Sequence, residues 1–271
     1  MSRSKVLALI LATASFLTLP VRAQNTRFEK LLVPVFVTTP VPGAFGSLWS
    51  TDLWMTNDGD VPVGIAGGFD TGCFFPVCEG DQRVQPHVTF RPRLHPREDG
   101  LLGTFIVGEA DLTGQLSVSL RFRDLSRQSA TWGTTLPVVH EREFRTGRFS
   151  LIDIPLTAGF RSVLRVYELN DSGRPASVLV RIFELDPSNN LPGSPPDRLI
   201  QADVFPVQFQ SAGRGSAWPG VLTVNLSGLV VPTNIDRVRV EIEPVTDGLH
   251  LWGFVTVVNN ETQHATVITP Q

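Results

Sequence analysis

The chain has 271 residues, 42% of them hydrophobic and 18% charged, with 23 Gly and 21 Pro. That composition excludes a disordered polymer, a collagen-like fibre and a coiled coil. The formal charge is −3, from 23 basic and 26 acidic residues, so there is no general basic field with which to bind nucleic acid.

Arg3 and Lys5 precede an uncharged apolar run over 6–19, followed by Pro20 and Val21-Arg22-Ala23. A basic start, a short apolar core and a small residue at the exit predict a secretory signal peptide over 1–23. The run is shorter than the ~18–20 residues that span a bilayer. Gln24 would follow the cut, so no lipid is expected on a new N-terminal Cys. Loss of Arg3, Lys5 and Arg22 leaves 20 basic residues against 26 acidic ones, a charge of −6. No later segment is long and apolar enough to span. The expected setting is extracytoplasmic: periplasm, cell surface or medium.

Downstream, the apolar stretches are short, rich in β-branched residues and bounded by Gly, Pro, Asn or Asp. They predict strands over 31–37, 50–56, 87–90, 116–123 and 135–139, then over 162–169, 177–185, 221–226, 237–242, 251–258 and 266–269. Leu116, Val118, Leu120 and Phe122 alternate with polar residues, as do Val238, Val240 and Ile242. This is the pattern of strands with one buried and one wet face. No helical period appears after the leader. The expected fold class is all-β, two tandem antiparallel Ig-like β-sandwiches.

Cys73 and Cys78 are the only cysteines. Outside the cytoplasm a close pair reads most simply as a disulfide shaping a loop tip. A metal pair would be only half a zinc site, and a thioredoxin-type motif has two intervening residues rather than four.

The organisation repeats. Residues 49–59 resemble 161–171: each is a strand with a late aromatic, Trp54 or Tyr167, running into an Asn-Asp turn, with Asn57 set against Asn170 at an offset of 113. Residues 122–128 resemble 258–264, with Asp124 set against Asn260 at an offset of 136. The charged, Gly-containing join over 140–148 divides domains at 24–145 and 146–271. One continuous larger sandwich is the alternative.

Ser50-Thr51-Asp52-Leu53-Trp54 running into Asn57-Asp58-Gly59, with the terminal Val257-Val258-Asn259-Asn260-Glu261-Thr262 strand and turn, resembles tandem modules of exported bacterial proteins. The modules are similar to the small β-sandwich of sensory-rhodopsin-transducer type. The resemblance implies a fold and an extracytoplasmic setting, and it transfers no catalytic residue.

Several strings invite chemistry. Asp70-Thr71-Gly72 occurs once, whereas an aspartic protease needs two such carboxylates; a turn capped by Asp is the plainer account. His87 and His95 match no standard zinc spacing. There is no Gly-x-Ser-x-Gly elbow and no phosphate-binding glycine loop. Asn57, Asp58 and Asp60 around Gly59 make a weak calcium candidate, although Asn-Asp-Gly is also a common hairpin turn. Trp54, Trp132 and Trp252 lie in strand-like runs and are expected in the core. Trp49 and Trp218 adjoin glycine-rich loops and are expected at the surface as ligand-binding candidates, with Phe74 and Phe75 in the cysteine loop. The expected role is a non-enzymatic binding, adhesion or structural module that needs no cofactor and meets an extracytoplasmic protein or glycan. The alternative is a carbohydrate-binding protein accessory to a hydrolase.

Overall fold

The structure, a computed structural model, describes residues 28–37, 39–67, 82–92, 103–127, 132–169, 175–185, 196–208, 218–229 and 235–270. Among these the protein is all-β, and its only helical pieces are three-residue 3₁₀ turns. The segment expected as a signal peptide lies outside the described residues.

The first half contributes β1 (Phe28–Val33), β2 (Val41–Pro42), β3 (Leu48–Asn57), β4 (Val63–Gly67), β5 (Gln82–Val84), β6 (Thr89–Phe90), β7 (Thr104–Glu109), β8 (Leu116–Asp124), β9 (Thr134–Leu136) and β10 (Val139–His140). The second half contributes β11 (Phe149–Pro155), β12 (Phe160–Glu168), β13 (Ala176–Glu184), β14 (Leu199–Val207), β15 (Gly220–Asn225), β16 (Arg237–Pro244), β17 (Leu251–Asn259) and β18 (Ala265–Ile268).

Four antiparallel sheets result. The first has the order β10-β1-β7-β4-β5 and the second β2-β3-β8-β9, with β6 also paired to β3. The third is β15-β12-β17-β18 and the fourth β11-β16-β13-β14. The two halves share one topology. Strand β1 stands to β7, β4 and β5 as β11 stands to β16, β13 and β14, and β6-β3-β8-β9 repeats as β15-β12-β17-β18.

The repeat has a definite register. Asp124 ends β8 and accepts the Ser126 N–H at 3.0 Å, while Asn259 ends β17 and accepts the Glu261 N–H at 2.9 Å. These residues pair with Trp49 and Phe160 respectively. Independently, Thr51 Oγ1 contacts the Val37 carbonyl at 3.2 Å, and Ser162 Oγ contacts that of Pro155 at 2.7 Å. Both observations set β3 against β12 at an offset of 111, two residues from the value read in sequence, and β8 against β17 at 135. The Asp124 carboxyl is buried, which works to raise its pKa. Bonds from the Leu48 N–H, Ser126 and Arg127 outweigh that and hold it below the usual carboxylate range.

Period-two patterning places Leu53, Met55, Leu120 and Phe122 in one core with Leu31, Ile65 and Ile106 of the first sheet. A second core joins Leu164, Val166, Val255 and Val257 of the third sheet to Val178, Val180, Val240 and Ile242 of the fourth. The third sheet is buried on its other face too. Tyr167, Trp252 and Phe254 point away from the second core and join the first cluster, with Leu32 and Phe105 from the outer face of the first sheet. Tyr167 stacks on Phe254 at 6.2 Å and 4°, and its hydroxyl donates to the Pro34 carbonyl. Gly103, at φ +75°, makes room: a Cβ there would sit 2.9 Å from the Pro34 oxygen and 3.1 Å from the Tyr167 ring.

Polar contacts ring this seam. Lys30 Nζ donates to the Leu169 carbonyl at 3.1 Å, Thr134 donates to the Ala265 carbonyl, and Arg145 and Leu251 exchange two backbone bonds of 2.8 Å. Arg161 lies 4.9 Å over the Phe45 ring.

Tyr167 is the only tyrosine, and burial pushes its phenol far above the ordinary value, against a smaller opposing effect of Arg165. A folded-state pKa above the unfolded ~10 stabilises the native chain below that pH, and the contribution is lost as pH rises further. We predict no tyrosinate absorbance at 295 nm through about pH 10–11, then its appearance together with unfolding. Tyr167→Phe removes the donor from a buried carbonyl and should cost about 1–3 kcal/mol in denaturant melts. A native chain titrating near pH 10 would contradict the burial.

Candidate functional site

The four sheets leave two broad outer faces, those of the second and the fourth. Alternation along β3 and β8 turns Leu53, Met55, Leu120 and Phe122 inward, so Asp52, Trp54, Thr56, Ser117, Ser119, Arg121 and Arg123 face outward. Pairing registers arrange them in rows. Thr89, Thr56 and Ser117 form one row. One step along, Arg91 stands beside Trp54, which pairs with Ser119. Asp52, Arg121 and Thr135 form the next row, and Ser50 and Arg123 the last. Successive rows are two residues apart, about 7 Å along the strands.

Trp54 is at the centre and is 40% exposed. The Arg91 guanidinium lies 4.3 Å over its ring, a cation–π arrangement worth roughly 0.5–1 kcal/mol at such a site. Asp52 is shared by two cations, Arg123 at 3.1 Å and Arg91 at 3.6 Å. Arg123 and Asp52 are largely covered, whereas Arg91 is 60% exposed. Gly133, at φ +141°, lets the Arg121 stem cross β9: a Cβ there would sit 2.8 Å from Arg121 Cγ. Thr56 and Thr89 join their hydroxyls at 2.8 Å.

The outer face of the fourth sheet has a different electrostatic character. Arg181 binds Glu241 at 2.9 Å and also Glu243. Arg239 binds Asp197 at 2.8 Å and Glu241 at 3.3 Å, and Arg148 adds a contact to Glu241 at 3.6 Å. Among the described residues the three cations of this ladder meet three carboxylates, and the charge is spent internally. On the second sheet two guanidinium groups share one carboxylate beside an exposed indole.

The repeat explains why the two equivalent faces differ. At the offsets of 111 and 135, Thr56, Ser117 and Ser119 correspond to Tyr167, Trp252 and Phe254. The copy whose face is covered carries three aromatics where the open copy carries three hydroxyls. Trp54 corresponds to Arg165, which donates to Thr256 at 3.1 Å.

The sequence-predicted residues fall as follows. Trp49 was expected at the surface. It is 8% exposed and stacks on Phe122 at 4.5 Å and 6°, because its position in β3 has the inward parity of Leu53. Trp218 is half-buried. Trp252 is in the core as expected, whereas Trp54 and Trp132, also expected there, are exposed, Trp132 at 68%. Asn57 is fully buried. Its amide donates to the carbonyls of Val61 at 2.7 Å and Val84 at 2.9 Å, and its oxygen accepts the Gly59 N–H at 3.0 Å. Asp58 takes the Ser117 hydroxyl and Asp60 meets His87 at 3.2 Å, so the calcium candidates turn to separate partners. Cys73, Cys78, Phe74, Phe75 and the Asp70-Thr71-Gly72 string lie outside the described residues.

No helix among the described residues is long and apolar enough to cross a membrane. Neither family models, nor curated proteins, nor solved structures give a match to the chain.

Asp52 is the part of this face that holds the rest in place. Asp52→Ala leaves the covered Arg123 without its 3.1 Å partner and should cost about 1–3 kcal/mol. Ser119→Ala, exposed and one row away, should stay within about 0.5 kcal/mol. Urea melts of the two variants check the difference, and equal costs would show that the pair does not organise the face.

Proposed function

We propose that this chain is an exported, non-enzymatic binding module of two tandem Ig-like β-sandwiches, and that its ligand meets the outer face of the second sheet around Trp54. The observation that carries this is the asymmetry between equivalent faces. One copy's face is aromatic and covered by its neighbour; the other's is hydroxylated and open, with an indole and a shared carboxylate at its centre. In the first half β1 pairs with β7 and in the second β11 pairs with β16, in neither case with the strand that follows, a variant of the immunoglobulin order.

A binding role fits the groups present. The described rows around Trp54 contain one carboxylate, Asp52, engaged by two guanidinium groups, and Asp58 takes the Ser117 hydroxyl at their end, so the rows offer groups suited to recognition. The leader over 1–23, the Cys73–Cys78 pair read as a disulfide and the resemblance to tandem modules of exported bacterial proteins all suit an extracytoplasmic setting. The second reading is a carbohydrate-binding protein accessory to a hydrolase. It is favoured by the exposed indole among Thr56, Ser117 and Ser119.

Immobilised full chain should retain components of a cell-envelope extract. Trp54→Ala combined with Arg91→Ala should weaken retention by about tenfold or more, the size of loss expected at a central anchor, while melting near the wild-type temperature. Arg237→Ala, exposed on the fourth sheet, should retain as the parent does. Undiminished retention by the double variant would move the binding surface elsewhere. Release of new reducing ends or free acids from the extract by the purified chain would overturn the non-enzymatic reading.

A further inference from the structure

We infer that the ligand of the Trp54 face is an anionic glycan, a polymer of sugars bearing carboxylates. The inference rests on the reading of that face as the binding surface and adds the ligand's chemistry.

Charge gives the first reason. Arg91 and Arg123 share the single carboxylate of Asp52 at 3.6 and 3.1 Å. The group therefore carries an excess positive charge on a chain whose overall charge is −3. The cation with the longer contact is also the exposed one, so a ligand carboxylate can reach Arg91 without breaking the shorter Arg123–Asp52 pair. The ladder on the fourth sheet has three carboxylates for its three cations.

Geometry gives the second. The Arg91 guanidinium lies 4.3 Å over the indole, which restrains where it sits. A planar fork of N–H groups suits a carboxylate gripped by two parallel bonds. The exposed part of Trp54 beside it offers apolar surface to the C–H face of a sugar ring. In the same row Ser119 supplies a hydroxyl that both donates and accepts, and in the adjoining row Ser117, which donates to Asp58, and Thr56, bonded to Thr89, keep lone pairs that accept. A glycan hydroxyl can donate to each of them.

Shape gives the third. The rows lie on the face of a sheet, with β3 paired along its length to β8 and, on its other side, met by β2 at Leu48 and Trp49, by the Val37 carbonyl at Thr51 and by β6 at Met55 and Thr56. A peptide adding as a strand needs an open edge, and one docking as a helix needs an apolar groove. The Trp54 rows lie on a paired strand and are mostly polar. An extended polymer with a repeating acidic sugar matches a polar face whose features recur every two residues.

Affinity electrophoresis of the full chain tests this in native gels containing polygalacturonate, its methyl-esterified form, dextran or poly-glutamate. Polygalacturonate should retard the chain and the two neutral glycans should not. Trp54→Ala and Arg91→Ala should each weaken the effect by about tenfold, within the range of binding hot spots. Arg91→Lys should recover only part of it, since the charge returns without the plane. Equal retardation by the esterified form would remove the carboxylate from the proposal. Equal retardation by poly-glutamate, insensitive to Trp54→Ala, would assign the face to acidic peptides. If no polymer retards the chain while envelope retention still depends on Trp54 and Arg91, the anionic-glycan inference fails and the binding face stands. If that dependence is absent as well, both fail.

Discussion

The outer face of the third sheet cannot be left to water. Tyr167, Trp252 and Phe254 project from it together, and burying an aromatic side chain contributes about 1.5–3 kcal/mol. Three of them amount to roughly 5–9 kcal/mol, comparable with the whole stability of an ordinary domain. The first half supplies the cover, through Leu32 and Phe105 and the Pro34 carbonyl that receives the Tyr167 hydroxyl. The halves are therefore not beads on a string. Separating them would expose the rings and strand a buried hydrogen bond, so the linking residues need do little to hold the two together.

This constraint determines which surfaces remain for function. Both halves use one strand order, so each has an outer face on its β6-β3-β8-β9 or β15-β12-β17-β18 sheet. In the second half that face is committed to internal packing. In the first half the corresponding positions are Thr56, Ser117 and Ser119, which suit water and do not drive association. The same backbone thus yields a glued face and an open one, through substitutions at three outward positions that leave the inward residues Leu53/Leu164 and Met55/Val166 apolar in both copies.

Much of the fold was legible because alternation is a local signal. Strands β3, β8, β12, β13, β16 and β17 were readable from their patterns. Others were not. Strand β7 reads Thr-Phe-Ile-Val-Gly-Glu, is buried at both parities over Phe105 and Ile106, and so has no alternation to detect. Strand β14 contains Pro206, tolerated there because β14 pairs only with β13 and lies at an edge. Strand β11 is interrupted by a bulge around Asp153, at φ +69°. Alternation also says which residues share a face, but not what lies against that face. Trp54 and Tyr167 looked equivalent in sequence, yet the register sets Trp54 against Arg165, and one ring is exposed while the other is fully buried. Trp49 misled for a related reason. Its glycine-rich neighbourhood suggested a loop, while its parity in β3 carries it inward onto Phe122.

The sequence also drew attention to loops as the natural place for recognition, and the Trp54 face departs from that in a physically useful way. Trp54 sits within β3, and Thr89, Ser117, Ser119 and Arg121 are placed by the pairing of β3 with β6 and β8, while Arg91 directly follows β6. Side chains held on a paired strand lose less freedom on binding than side chains on a loop, and binding free energy is limited by such ordering costs. Arg91 is restrained further by the ring beneath it, and the Arg121 stem by its passage over Gly133. The residual charge is thus displayed on a frame that has already met most of its entropic cost in folding. The fourth sheet is equally rigid, but its cations are matched by carboxylates, so an incoming anion would have to break existing pairs. Rigidity alone does not single out a binding surface. Rigidity together with an unbalanced charge does, and among the outer sheet faces described here that combination belongs to the rows around Trp54.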